Sequence, residues 1–212
     1  PMPTVIVPVG LNLGPSYRYV TPPDPNPEYW EVRLGNESEE LTDDEFQVWG
    51  RAFLDPERHA RLEVTRETLQ RDLLTAGAGP ANPGPVIEQL LDRGLLIEFD
   101  PDGELEKPFR RIKLHPLAEG MGNTPEEPDR RHIGHSGASL LQVTGVTYGL
   151  WAFSSIEPSL WEACIALDED NQRDRQAGID LERLTAQAAA HDVAVTIPAL
   201  VASGCAFLDP VV

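Results

Sequence analysis

Cysteine is almost missing from this chain. Of 212 residues only Cys164 and Cys205 are cysteines, and they make no Cys-x-x-Cys pair. Both fall in apolar surroundings, which predicts buried thiols in place of a disulfide or a metal site. Long apolar runs are missing as well; none reaches the roughly 18 residues that a membrane-spanning helix needs. The opening PMPTVIVPVG holds no basic stretch followed by a true apolar core. It does not read as a secretion signal, and cytoplasmic residence is expected. Positive charge is scarce. The chain has 35 acidic and 17 basic residues, a formal charge of −18, and long-range electrostatics therefore oppose approach to nucleic acid or an anionic membrane. Apolar residues make up 41% of the chain, enough for a core, which argues against wholesale disorder.

What the sequence does contain is a repetition. LTDDEFQVWGRAF, from Leu41, is echoed by VTGVTYGLWAFSS, from Val143. Thr42 and Thr144, Phe46 and Tyr148, and Trp49 and Trp151 all correspond at an offset of 102 residues. Further on, VIEQLLDRGLLIEFDP is echoed by VTIPALVASGCAFLDP, pairing Ile87 with Ile197, Leu90 with Leu200 and Gly94 with Gly204 at an offset of 110. Between them VTRETLQRDLL and IDLERLTAQAA match in pattern, so both are expected to be helical. The extra eight residues are easily held in surface loops.

Within the first copy, WEVRL from Trp30 alternates as a half-buried strand does, and GNESEE reads as its end. Thr42 caps a helix, with Glu45 closing a capping box, and Phe46, Trp49, Ala52 and Phe53 form its inward stripe. A second helix carries Leu62, Thr65, Leu69, Leu73 and Leu74. A third, PVIEQLLDRG, buries Val86, Ile87, Leu90 and Leu91 and stops at Gly94. LLIEF, DPDG and FRRIKL then predict a hairpin. The expected fold is α+β: two tandem winged-helix-like domains, mostly helical, with small β-hairpin wings. Their bounds are a proline-rich arm over residues 1–29 (with TVIVPV as a short edge strand), a first domain over 30–115, a linker over 116–140, and a second domain over 141–212 with a truncated wing.

This order of elements resembles the winged-helix superfamily in tandem. In domain order and acidity over roughly residues 30–210 it resembles the ScpB subunits of bacterial chromosome-condensing complexes. The resemblance implies protein-binding or dimerisation surfaces; no motif of that family is present, so no functional residue carries over.

Sites for chemistry are few. A DNA-reading third helix needs arginine, lysine, asparagine or glutamine on its outer face. The first copy offers Glu88, Gln89, Asp92 and Arg93, and the second Thr196, Pro198, Ala199, Ala202 and Ser203. His132 and His135 lie close together but lack a cysteine partner. GHSGAS fails the nucleophile-elbow spacing, because Gly137 follows Ser136 directly. No metal, no cofactor and no catalytic set is expected. The reading is a non-enzymatic protein-interaction or regulatory module with a protein partner, homodimerisation being one form of it. Its proposed surface comprises Tyr17, Tyr19, Trp30, Arg110, Arg111, Arg130 and Arg131, since desolvated aromatic and arginine side chains supply much of an interface's affinity. The alternatives are a DNA-binding transcriptional regulator, and a small-molecule binder or enzyme using a cleft between the domains.

Overall fold

The chain builds one series of elements twice. The computed structural model describes residues 2–77 and 79–212; Pro1 of the arm and Ala78 of the stretch after the second helix lie outside it. The first series is β1 (Val5–Pro8), β2 (Leu11–Ser16), β3 (Tyr29–Leu34), β4 (Glu37–Leu41), α1 (Asp43–Arg51), α2 (Pro56–Ala60), α3 (Arg66–Ala76), α4 (Pro83–Asp92) and β5 (Leu96–Phe99). A short helix, α5 (Glu106–Phe109), leads to the second. This comprises β6 (Ile112–Pro116), β7 (Glu119–Gly122), β8 (Arg130–His135), β9 (Ala138–Thr144), α6 (Gly145–Phe153), a 3-10 turn at Ser154–Ile156, α7 (Leu160–Gln176), α8 (Ala186–Ala194), α9 (Ile197–Ala202) and β10 (Ala206–Pro210). The architecture is α+β with small antiparallel sheets: the ribbons β1–β5 and β6–β10, and the three-stranded sheets β2-β3-β4 and β7-β8-β9.

Matching hydrogen bonds fix the correspondence of the copies. The Leu95 amide donates to the Leu90 carbonyl at 2.8 Å, and the Cys205 amide to Leu200 at 2.9 Å. Next in line, Val9 donates to Leu95 at 2.9 Å and Leu117 to Cys205 at 3.0 Å. Gly94 and Gly204 both take the left-handed conformation, φ 74° and 70°, that ends each helix. The leading helices share a cap but complete it differently. Thr42 accepts from Glu45, whose carboxylate accepts the Thr42 amide at 2.8 Å, closing the expected box. In the second copy Thr147 stands where Glu45 does, and the carboxylate comes from Asp192 of α8, which accepts from the hydroxyls of Thr144 and Thr147.

Several expectations are corrected. The hairpin LLIEF–FRRIKL does not form: β5 pairs with β1 and β6 with β10. FRRIKL therefore supplies the first strand of the second copy, and β10 is a fully paired strand in place of a wing stub. GNESEE is not a break, because Glu37–Leu41 is β4, joined to β3 across Gly35 and Asn36. Its acidic side chains hid it, since the strand is largely exposed and needs no apolar alternation. The segment expected as linker holds β7, β8 and the start of β9. Only Ile133, Gly134 and Val143 of β8 and β9 are buried, so no hydrophobic period shows. Ser136 and Gly137 have φ of 51° and 79°, the paired positive values of a tight hairpin turn, which is the role of the GHSGAS stretch. The expected arm starts with β1 and β2, leaving residues 17–28 as the loop before β3. IDLERL is not helical; Thr185 caps α8 instead.

The β1–β5 ribbon serves both cores. Ile6 and Leu96 face the first, among Val32, Leu41, Val48 and Trp49. Val5, Val7, Ile97 and Phe99 face the second, among Leu114, Leu150, Trp151 and Leu200. An unbroken apolar run is what a strand buried on both faces requires, and VIVPV, from Val5, is such a run. Each of these side chains contributes on the order of 1.5–3 kcal/mol by leaving water, so separating the copies exposes a substantial apolar area. Polar ties add to this: the Gly35 amide donates to Asp209 of β10 at 2.8 Å, and Gly10 donates to Leu208 at 2.8 Å.

Candidate binding cleft

A deep concavity arises where the copies differ. α4 and α9 bury the same positions, Ile87 with Ile197 and Leu90 with Leu200, all fully inaccessible. Their outer faces diverge. In α9, Pro198, Ala199 and Val201 are buried, because α2 and β1 of the first copy pack over that helix. In α4 the equivalent Glu88 and Gln89 are exposed and Leu91 is half-buried. The element matching α2 is α7, and it does not cover α4. Instead α5 is wedged against α7, β5 and β6, with Arg110 bridging to Glu162 of α7. A cleft of about 600 Å³ is left between α4, β5, α5 and β6.

Val9, Leu91, Leu96, Ile97, Phe99 and Ile112 line it, all but the half-buried Leu91 being buried in the two cores. Its walls are charged. Arg66 is held by Glu98, with its Nε 3.0 Å from a carboxylate oxygen, and by Glu88, so the group keeps one net negative charge. Asp92, Glu104, Lys107 and Arg111 also line the cleft, and none of them forms an ion pair among the described residues. A mainly charged lining of both signs, with Leu91 as its accessible apolar side chain, suits a ligand that brings complementary charge. The lining carries no hydroxyl, thiol or imidazole.

The structure disperses the seven residues expected to form an interface. Tyr17 and Tyr19 are exposed on the β2–β3 loop, Tyr19 fully so. Trp30 is committed to its own copy: it stacks on Phe46 at 3.9 Å, and its indole N–H donates to Asp43 at 3.2 Å. Arg110 pairs with Glu106 at 2.9 Å and with Glu162. Arg111 reaches the cleft. Arg130 and Arg131 lie on β8, in another sheet. No hydrogen bond or ion pair joins any two of the seven among the described residues. The sequence did show Glu88 and Asp92 as a poor surface for DNA. It did not show that they line one cleft with Arg111, because that depends on β5 turning to β1 and β6 to β10.

Other titratable groups are built into the fold. Burial pushes the Cys164 thiol up to about 12, and raises Cys205 against a weaker pull from Ser203. His135 contacts the Gly204 carbonyl at 3.1 Å, and His132 contacts Ser139 at 2.9 Å. No cluster of three metal-ligating side chains occurs among the described residues, and no helix among them is long and apolar enough to cross a membrane. Comparison with protein-family models, with curated proteins and with solved structures gives no match for this chain.

Proposed function

We propose that this chain is a non-enzymatic protein-interaction or regulatory module whose recognition surface is the cleft beside α4. The observation that carries the reading is the unequal treatment of two equivalent helix faces: α9 is covered by its neighbours, whereas α4 fronts an open cleft with unpaired charges of both signs. The two copies are read as winged-helix-like modules, supported by their serial helices and the shared turn from last helix to strand. In each module the strand after the last helix pairs with the strand that opens its own copy, which replaces the wing. An interaction role fits the tandem winged-helix resemblance, and the charge of −18 favours a partner over nucleic acid.

The test compares the intact chain with a Lys107→Glu, Arg111→Glu double variant, using quantitative capture from the native cell extract and mass spectrometry. Both side chains are exposed, so the fold should survive. The expected result is selective loss of one or more associations. Unchanged associations would sink the reading. So would selective binding to a DNA duplex that weakens steeply with salt, the signature of phosphate contacts.

A further inference from the structure

We infer that α6 and α7 form a docking surface of their own, for a basic protein segment that carries a bulky apolar side chain. The surface shares no lining residue with the cleft beside α4. Phe153 ends α6 and is 67% exposed, and Ile156, in the 3-10 turn that follows, is 77% exposed. Both line a groove of about 260 Å³ whose other wall is α7. There Ala163, Ala166, Leu167 and Asp170 recur at the three- and four-residue spacing of one helix face. Pro158 and the half-buried Ile165 line a second depression, which shares Glu157 and Ala166 with the groove. The accessible apolar surface is therefore continuous, and not a scatter of single side chains. The core does not call for it: neither Phe153 nor Ile156 joins either core. At the 102-residue offset of the leading helices, Arg51 stands in the first copy where Phe153 stands in the second.

Charge names the occupant. The charged residues that line the groove and its neighbour are Glu157, Glu162, Glu169 and Asp170, and no lysine or arginine lines either. Glu162 pairs with Arg110 and Asp170 with Arg173, whereas Glu157 and Glu169 form no ion pair among the described residues. A neutral or acidic partner covering this surface would desolvate those carboxylates without compensation. A lysine or arginine beside the apolar anchor meets them, fixes the orientation and rejects wrong partners. A second copy is a poor occupant, because a two-fold contact sets the same carboxylates against one another.

The probe is a fluorescein-labelled peptide, Lys-Lys-Leu-Trp-Lys-Lys, titrated into the intact chain at about 0.15 M salt, where attraction beyond roughly 8 Å is screened. Saturable binding is expected, with amide chemical shifts moving at the end of α6 and along α7. Replacing Leu-Trp by Ser-Ser, or every lysine by glutamate, should weaken binding at least about tenfold. The double variants Phe153→Ser, Ile156→Ser and Glu157→Lys, Glu169→Lys should each do the same, and all four side chains lie outside the cores, so the fold should survive. A serine peptide that binds as tightly as the parent overturns the inference, because net charge alone would then hold it. No saturable binding, binding unaffected by both variants, or shifts confined to other elements overturns it too. Self-association lost in the Phe153→Ser, Ile156→Ser variant would assign the surface to a second copy. Loss of binding to phosphatidylcholine vesicles in that variant would assign it to lipid, and either result equally overturns the inference.

Discussion

His59 makes the stability of the junction between the copies depend on pH. It is 1% exposed, and neither ring nitrogen has a hydrogen-bond partner. Burial is the main force lowering its pKa below the ordinary 6.5, with weaker opposing pulls from the Ala52 carbonyl and Asp55. A lowered pKa means the folded chain favours the neutral ring. Well above pH 6.5 the ring is neutral in both folded and unfolded states, so it adds no pH dependence. As pH falls below 6.5 the unfolded chain takes a proton that the folded chain resists, and stability is lost. One unit below, at pH 5.5, the loss is at most about 1.4 kcal/mol, the free energy of one pKa unit. His59→Leu removes the proton site and also an unsatisfied buried polar group, whose burial costs about 1–3 kcal/mol. Urea unfolding of both proteins at pH 7.5 and 5.5 checks this. The variant should be at least as stable at pH 7.5 and should lose about 1 kcal/mol less on acidification. The half-buried His115, also lowered by burial, is common to both proteins and cancels in the difference. Equal losses in the two proteins would refute the reasoning, because they would mean that His59 is hydrated or hydrogen-bonded in the native state.

Three further outcomes follow from specific contacts. Glu45→Ala removes the reciprocal cap of α1 and the carboxylate that accepts from Gln89 and Arg93 of α4, each at 2.8 Å. It should cost about 2–4 kcal/mol in denaturant unfolding, and a loss below about 0.5 kcal/mol would show that water replaces these bonds. Asp192→Ala should destabilise the second copy by about 1–3 kcal/mol, since it leaves the buried Thr147 hydroxyl without its carboxylate acceptor; thermal unfolding reads this out. Gly10→Ala sets a Cβ 2.7 Å from Val32 and 2.8 Å from the Arg33 carbonyl, at φ 100°. It should cost more than about 1 kcal/mol by the same measurement.

Part of this protein was determined by local sequence. Thr42 and Glu45 form a cap wherever a helix starts at Asp43, because both bonds lie within one turn. The apolar spacings of α1 and α4 and the glycines at 94 and 204 work equally locally, and the tryptophans at 49 and 151 were recognisable as core residues; both are buried. Strands β4, β7 and β8 left no such trace, because a largely exposed strand carries no apolar alternation. Strand partners were out of reach for another reason. LLIEF and FRRIKL flank a turn-like stretch and look like a hairpin, yet β5 finds β1 some 90 residues back and β6 finds β10 as far ahead. That choice is made by burial: pairing β1 with β5 gives two cores one shared ribbon, apolar on both faces. The same tertiary choice decides which helix face is covered and which is not. The sequence could state that α4 is acidic outside and α9 apolar; only the packing of α2 on α9, and of α5 between β5 and α7, turned that contrast into a closed interface on one side and an open cleft on the other.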